Sequence, residues 1–240
     1  MTKLSACVLT VTAGRDELEQ CVRSIDEQTY PVFHHIVTDA IVSFSDYVAL
    51  AKEYNSYNRA VSYWNGKIGG YGLEGRRLFA ACPSLVNEDV LFMLPDDDWF
   101  LPNHVESLMK IIEEGNDWAY SLMKVYDKDG KFLFDDKCEC LGEEHPAWNT
   151  GQTFAPTGSV ACKIEVARNL ANIYNTREWG PDRMWYNAAK QFYPKFKGSK
   201  QHTMCFRLGG NETSSNRAFF EQGNKFMQDT YGDVMPWEQE

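Results

Sequence analysis

One alternation of strand, helix and strand, between residues 6 and 38, constrains the chain more than any other feature. Ala6 to Thr12 is a β-branched, apolar run, and Asp16 to Gln28 places Leu18, Cys21, Val22 and Ile25 on one helical face. Pro31 stops that helix, and Phe33 to Thr38 forms a second strand-like run ending at Asp39. Strands joined through a helix of this length pair in parallel with a right-handed crossover. The expected class is therefore α/β, with a mostly parallel central sheet flanked by helices. A chain of 240 residues, 43% hydrophobic and 14% aromatic, has ample material for the core such a sheet needs and is too apolar to stay disordered. Residues 1–240 read as one domain, without internal repeat, low-complexity tract or linker.

Further along, Ala49 to Trp64 reads as a helix, Gly66 to Gly72 as a flexible stretch and Arg76 to Cys82 as a short helix. Asp89 to Leu94 is an apolar strand that stops at Pro95-Asp96-Asp97-Asp98, and Asn103 to Glu114 is a helix turning Val105, Leu108, Met109 and Ile112 inward. Trp118 to Tyr126 and Lys131 to Phe134 flank Asp127-Lys128-Asp129-Gly130, a hairpin turn. Residues 135–157 read as a loop, Val160 to Lys163 as a strand and Glu165 to Tyr174 as a helix. Another helix begins after Pro181, and the polar last thirty residues are expected to wrap the surface.

Charge and cysteine usage exclude several function classes. Lys and Arg number 24 against 34 Asp and Glu, a formal charge of −10, which disfavours a nucleic-acid backbone binder because counterion release needs a cationic face. A small anionic ligand remains admissible where a bound cation supplies positive charge. No apolar run reaches the roughly 20 residues of a membrane helix, and the N-terminus reads as a first strand rather than a signal peptide. Seven scattered cysteines, with Cys138 and Cys140 the one close pair, lack zinc or redox spacing; reduced thiols and a cytoplasmic location are expected. Asn211-Glu212-Thr213 has the form of a glycosylation sequon, without meaning in such a location.

The chemistry concentrates at Leu94-Pro95-Asp96-Asp97-Asp98-Trp99. Three successive carboxylates after a buried strand are costly unless something positive lies against them. The carboxyl ends of sheet strands are where ligands bind in open α/β folds, and hard oxygen donors there suit Mg²⁺ or Mn²⁺. The plain alternative is a solvated acidic turn capping the next helix. Asp39, alone, reads as a strand-ending turn residue; beside Thr12 and Arg15 at the neighbouring strand end it suggests a nucleotide pocket. Arg76 offers planar, bidentate contacts to a diphosphate, and Arg77 is the more ordinary surface charge.

Taken in order, these segments resemble the family 2 glycosyltransferases of the GT-A fold. Cys21 to Pro31 looks like that family's first helix and exit; Thr12-Ala13-Gly14-Arg15 stands where it has Thr-Tyr-Asn-Arg; Ile36-Val37-Thr38-Asp39 is similar to its Val-Val-Asp; Gly75-Arg76-Arg77 stands for Ala-Arg-Asn; and Leu94 to Pro102 resembles its DxD segment. The likeness spans residues 6–115 and returns more weakly at 157–190. It implies a GT-A, Rossmann-like domain with a donor-binding half at 1–115 and an acceptor-side half with a C-terminal surface segment at 116–240. There are departures. Pro95 replaces the first family Asp, so either Asp97 is the metal ligand with Asp96 near the ribose, or Asp96 and Asp98 form the DxD pair. After Asp39, Ala40-Ile41-Val42 replaces Asp-Gly-Ser. Gly209 stands where the family often carries a His, with His202 nearby as a substitute metal ligand.

The resemblance implies transfer of a sugar from a nucleotide diphosphate sugar, a UDP-sugar above all, to a glycan or other hydroxyl acceptor, with inversion and with Mn²⁺ or Mg²⁺. Thr12, Arg15, Asp39, Arg76 and Asp96 would bind the nucleotide; Asp96, Asp97 and Asp98 would supply the metal site. Asp182, in Trp179-Gly180-Pro181-Asp182, matches the segment carrying the catalytic base, with Glu178 as the alternative; its plain reading is a helix-capping carboxylate. Trp148, Trp179 and Trp185 are core, lid or a sugar-stacking surface. Two rivals are a sugar-phosphate nucleotidyltransferase, for which Ala13-Gly14-Arg15 is short and poor in glycine, and a non-catalytic carbohydrate-binding protein.

Overall fold

A computed structural model describes residues 3–39, 43–63, 75–137, 155–176, 178, 180–209 and 217–235. The opening alternation is present: strand β1 (Ala6–Thr12), helix α1 (Leu18–Asp26) and strand β2 (Val32–Thr38), the strands parallel with Ala6 beside Val32 and Thr12 beside Thr38. Every residue of β1 is buried, which is the condition of a parallel strand covered on both faces.

Helix α2 (Phe44–Tyr54) and strand β3 (Arg59–Tyr63) replace the single helix expected over 49–64. The helix begins earlier because Ser43 accepts the Asp46 N–H as an N-cap. It stops at Asn55, whose side chain accepts the Val61 N–H at 2.8 Å. That turn reverses the chain, so Arg59, Val61 and their neighbours pair in parallel with β2. Helix α3 (Arg76–Ala81), strand β4 (Val90–Pro95) and helix α4 (His104–Glu113) follow as expected, and a two-residue strand β5 (Trp99–Phe100) lies between the last two.

Strands β6 (Trp118–Tyr126) and β7 (Phe132–Asp135) form the expected hairpin. Asp127 Oδ1 accepts the N–H groups of Asp129 and Lys131 at 3.0 and 2.8 Å, and Gly130 has φ +79°. Strand β8 (Val160–Lys163), helix α5 (Ile164–Leu170) and helix α6 (Pro181–Phe192) also match the sequence reading. Two elements do not. Strand β9 (Phe196–Arg207) was not expected, and the polar C-terminal segment contains helix α7 (Arg217–Tyr231), which buries Phe220 and Met227. The expectations for Gly66–Gly72, Cys138, Cys140, Trp148, Trp179 and the Asn211 sequon lie outside the described residues.

The sheet order is β3-β2-β1-β4-β8-β6-β9-β5, with β7 beside β6. β8 runs antiparallel to both β4 and β6, and β9 is parallel to β6; among the described strands β5, β7 and β8 oppose the common direction. One face packs Ala6 and Val8 against α1, α4 and α7 through Cys21, Ile25, Leu108, Met109 and Phe220. The other packs Cys7, Leu9 and Val11 against α3, α5 and α6 through Leu78, Val166, Trp185 and Tyr186. The described cysteines, 7, 21, 82, 162 and 205, are all free and buried. Among the described residues no helix is long and apolar enough to cross a membrane.

Candidate active site

Adjacent strand tips bring Thr12, Arg15, Asp39 and the three carboxylates of Asp96 to Asp98 together. Parallel pairing puts the carboxyl ends of β2, β1 and β4 side by side, and the Asp39 N–H donates to the Thr12 carbonyl at 2.7 Å. The Thr12 hydroxyl donates to Asp96 Oδ2 at 2.7 Å and accepts the Gly14 N–H at 2.9 Å. The Ala13 N–H reaches the same Asp96 oxygen at 3.3 Å. Gly14 takes φ +79°, which turns the chain sharply enough for Arg15 to fold back over β4. Arg15 Nη1 then stands 3.1 Å from Asp97 Oδ2, with Nε 3.9 Å from Asp96 Oδ1.

Asp96, Asp97 and Asp98 are all buried, so the solvated acidic turn is not what the chain builds. Burial pushes the Asp96 carboxyl up to about 6, with the Thr12 hydroxyl and Arg15 holding it back. Burial also raises Asp97, and raises Asp98 well above the ordinary carboxylate range with the Asp97 charge adding to it. Arg207 opposes this rise at both residues. Its backbone N–H donates to Asp98 Oδ1 at 2.9 Å and its Nε to the Asp97 carbonyl at 3.1 Å. Nη1 donates to the Lys128 carbonyl in the hairpin turn at 2.9 Å, Nη2 reaches Gln20 Oε1, and the guanidinium lies over the Trp99 ring at 5.1 Å. Arg207 and Trp99 are the residues that sequence reasoning passed over. Gly209 stands where the family often carries a His, and Arg207 two residues before it carries the usable signal, a cation opposite an acidic run.

Asp182 occupies a second place, on the sheet face covered by α3, α5 and α6. Gly180, with φ +76°, and Pro181 start helix α6, and Asp182 Oδ1 accepts the Arg183 N–H at 3.0 Å. Gly180 is the N-cap, and Asp182 is an acidic residue of the first turn that accepts one of its N–H groups. Asp182 is half-buried. Burial raises its proton affinity; the Arg183 N–H, the Arg183 charge and, more weakly, Arg76 pull it down, and burial prevails. Arg76 stands with this group: its Nη1 donates to the Glu178 carbonyl at 2.9 Å. Tyr174, hydrogen-bonded to Thr157 Oγ1 at 3.2 Å, completes the surroundings and is itself pushed up, by burial first and also by the Asp182 charge.

Position decides two alternatives left open by the sequence. His202 does not join the carboxylates: its Nε2 meets the Asp136 carbonyl at 3.2 Å, five residues down β9 from Arg207, roughly 15 Å along an extended strand. Trp185 is core, edge-on to Trp118 at 5.9 Å, and offers no sugar-stacking face. Among the described residues, no group of three or more His, Cys, Asp or Glu side chains is arranged to hold a metal ion unaided.

Solved structures of similar fold include S. aureus TarS 1–349, with TM-score 0.64 and 15% identity, covering 85% of this chain and 60% of that one. The same protein in complex with UDP gives TM-score 0.62 at 14% identity, covering 85% and 61%. In complex with UDP-GlcNAc it gives 0.62 at 14% identity, covering 88% and 62%. At such identities the likeness is one of fold, and the chain spans about 60% of the length of these structures. No curated protein sequence matches it. The model of "Glycosyl transferase family 2" matches residues 5–168, most of the chain, and on that match the protein belongs to glycosyl transferase family 2.

Proposed function

We propose that the protein transfers a sugar from a UDP-sugar to an acceptor hydroxyl, with inversion, aided by Mn²⁺ or Mg²⁺. The observation that carries this reading is the convergence of Thr12, Asp39, Arg15 and the three buried carboxylates at adjacent strand tips. The UDP and UDP-GlcNAc complexes of TarS, similar in fold, support the choice of donor. Asp39 accepts the imide N–H of uracil, which cytosine lacks at that ring position, and Asp96 with Thr12 lies towards the ribose.

The donor set fits a hard divalent cation. Asp97 and Asp98 are buried oxygen donors whose ionised forms burial disfavours, so added positive charge is welcome there. Asp96 accepts two bonds on one oxygen, from Thr12 and Ala13, which supports Asp97 and Asp98 as the residues that would hold the metal. When bound, the cation offsets the charge of the departing diphosphate. Asp182 takes the proton of the acceptor hydroxyl as its oxygen attacks the anomeric carbon and the bond to the diphosphate breaks. Its proton affinity, raised by burial, makes it a stronger base than an ordinary carboxylate.

Donor hydrolysis and transfer are measured with a UDP-sugar panel. Chelator should abolish both, Mn²⁺ or Mg²⁺ should restore them, and full activity in chelator refutes the metal assignment. Asp182→Asn should keep UDP affinity and lose at least ~10² in kcat. A near-normal rate there, with loss in Glu178→Gln instead, moves the base to Glu178. Release of pyrophosphate rather than UDP would make the protein a nucleotidyltransferase.

A further inference from the structure

Asp182 stands on one element, and a cation from another element acts on it. Helix α3 is anchored, because the Gly75 carbonyl accepts the N–H groups of Leu78 and Phe79 and both side chains are buried. From the first residue of that helix, Arg76 Nη1 donates to the Glu178 carbonyl at 2.9 Å, 102 residues further along the chain. The Glu178 N–H in turn donates to Thr176 Oγ1 at 3.1 Å. Residue 178 is thus held at both main-chain groups, just before the Gly180 turn that starts α6. Asp182 feels Arg183 of its own helix, Arg76 of α3 and, from the short turn Ala171–Tyr174, Tyr174, which burial keeps neutral. Arg183 travels with α6, whereas Arg76 ties the Asp182 region to a different part of the fold.

We propose that Arg76 is a positioning residue for the base: by tying residue 178 to α3 it fixes the start of α6, and so the place of Asp182, and it serves the acceptor side of the reaction, not the nucleotide. The inference rests on the reading of Asp182 as the base. At the acidic tip, Arg15 and Arg207 supply the positive charge that opposes burial of the carboxylates. Asp182 has to be ionised to take a proton, and burial works against that too. A positive charge held by α3 counters burial at this second carboxylate. The tie to residue 178 also sets where the carboxylate meets an acceptor hydroxyl, a contact that a base makes at about 2.6–3.2 Å. A displacement of about 1 Å there costs on the order of 10²-fold in rate. One side chain thus governs both the charge and the place of the base, from a helix that does not carry it.

Carbon-13 NMR of the carboxyl groups follows Asp182 in the free protein, in wild type, Arg76→Met and Arg76→Lys; the signal is assigned by its loss in Asp182→Asn. Asp182 should bind its proton about threefold more tightly in Arg76→Met than in wild type, the scale of a partly exposed charge pair. Arg76→Lys, which keeps a positive charge and a donor, should titrate close to wild type. Arg76→Gln should behave like the methionine variant and stands in if that variant melts. Calorimetry with UDP and Mn²⁺ should give wild type and variants the same UDP affinity. Transfer by Arg76→Met should fall about tenfold in kcat at unchanged donor KM, the mark of a misplaced base. An Asp182 titration unmoved in both uncharged variants, or a clear loss of UDP affinity in them, overturns the role of Arg76 and leaves the base standing. A near-normal rate in Asp182→Asn overturns the base reading and this role with it, even where the titration moves.

Discussion

Replacing Arg207 by Met tests whether a charge or a shape holds the acidic tip together. Methionine keeps the stem and some packing on Trp99, and the backbone N–H still reaches Asp98. What disappears are the guanidinium bonds to the Asp97 carbonyl, the Lys128 carbonyl and Gln20, and a positive charge facing Asp97 and Asp98. Charged hydrogen bonds contribute about 1.5–3 kcal/mol each, but three such values do not add once the site relaxes. Removing one member of a buried charged group costs about 3–5 kcal/mol, and that is the expected loss. It leaves a marginally stable domain folded.

The pH dependence separates the two explanations. Asp97 and Asp98 titrate above their unfolded value of 3.8, so the folded state binds the extra protons between that value and the raised one. Without Arg207 both rise further. The variant suffers the full electrostatic penalty where the carboxylates are ionised, and recovers stability as falling pH protonates them. Each unit of added rise corresponds to about 1.4 kcal/mol. Urea unfolding in chelator, with matched m values, should show a larger destabilisation at pH 8 than at pH 5.5. Equal destabilisation at both values would show that Arg207 acts through packing alone.

Three further outcomes are expected. Asp39→Ala should weaken UDP binding by about 1–3 kcal/mol in calorimetry, and CDP should not discriminate the variant from wild type; unchanged UDP affinity refutes its role in base selection. His104, bonded to Thr203 Oγ1 at 2.9 Å and stacked on Phe100, is pushed down to about 3 by burial, so acid unfolds the protein by charging it. The stability gap between wild type and His104→Gln should therefore narrow by about 1.5 kcal/mol between pH 6.5 and 5, the unfolded histidine taking up its proton there; a constant gap refutes it. Gly75→Ala should cost about 1–3 kcal/mol and lower the melting temperature, because φ is +72° and a Cβ would stand 2.9 Å from Val11 Cγ1. Gly130→Ala, with a similar φ but its nearest atom at 3.7 Å, should cost less.

The first half of the fold was legible because its strands are buried on both faces and read as continuous apolar runs, from Ala6 to Thr12 and from Val90 to Leu94. β9 escaped because its first seven residues, Phe196 to His202, carry Lys, Gly, Ser and Gln on a partly exposed edge of the core. Only Thr203 to Cys205 are consecutively buried, too short a run to announce a strand. α7 escaped for a related reason, since Phe220, Gly223 and Met227 are its only buried residues. At the site, Thr12, Asp39 and Asp96 were legible from strand ends, whose neighbours parallel pairing dictates. Arg207 was not, because its partner Asp98 lies 109 residues away in the chain. Nor was the balance at Asp182 between burial and helix start, which depends on packing by α3 and Tyr174.

That same separation sets an order of assembly during synthesis. β9 enters the sheet between β6 and β5, and Arg207 closes on Asp98 from 109 residues downstream. At about 5–20 residues per second, translation takes roughly 5–20 s to pass from one to the other. For that interval the strand β4 tip carries three ionised carboxylates with no Arg207 to face them. Water keeps such charges better than a half-built core does, so the emerging segment stays hydrated at the point where its most apolar strand ends. The acidic tip thus restrains early collapse on the ribosome and becomes compact only when the late strand delivers its cation. A nascent chain whose Arg207 has not yet emerged from the ribosome should accordingly remain open to proteolysis around Asp96–Asp98, and release of the finished chain should close that window.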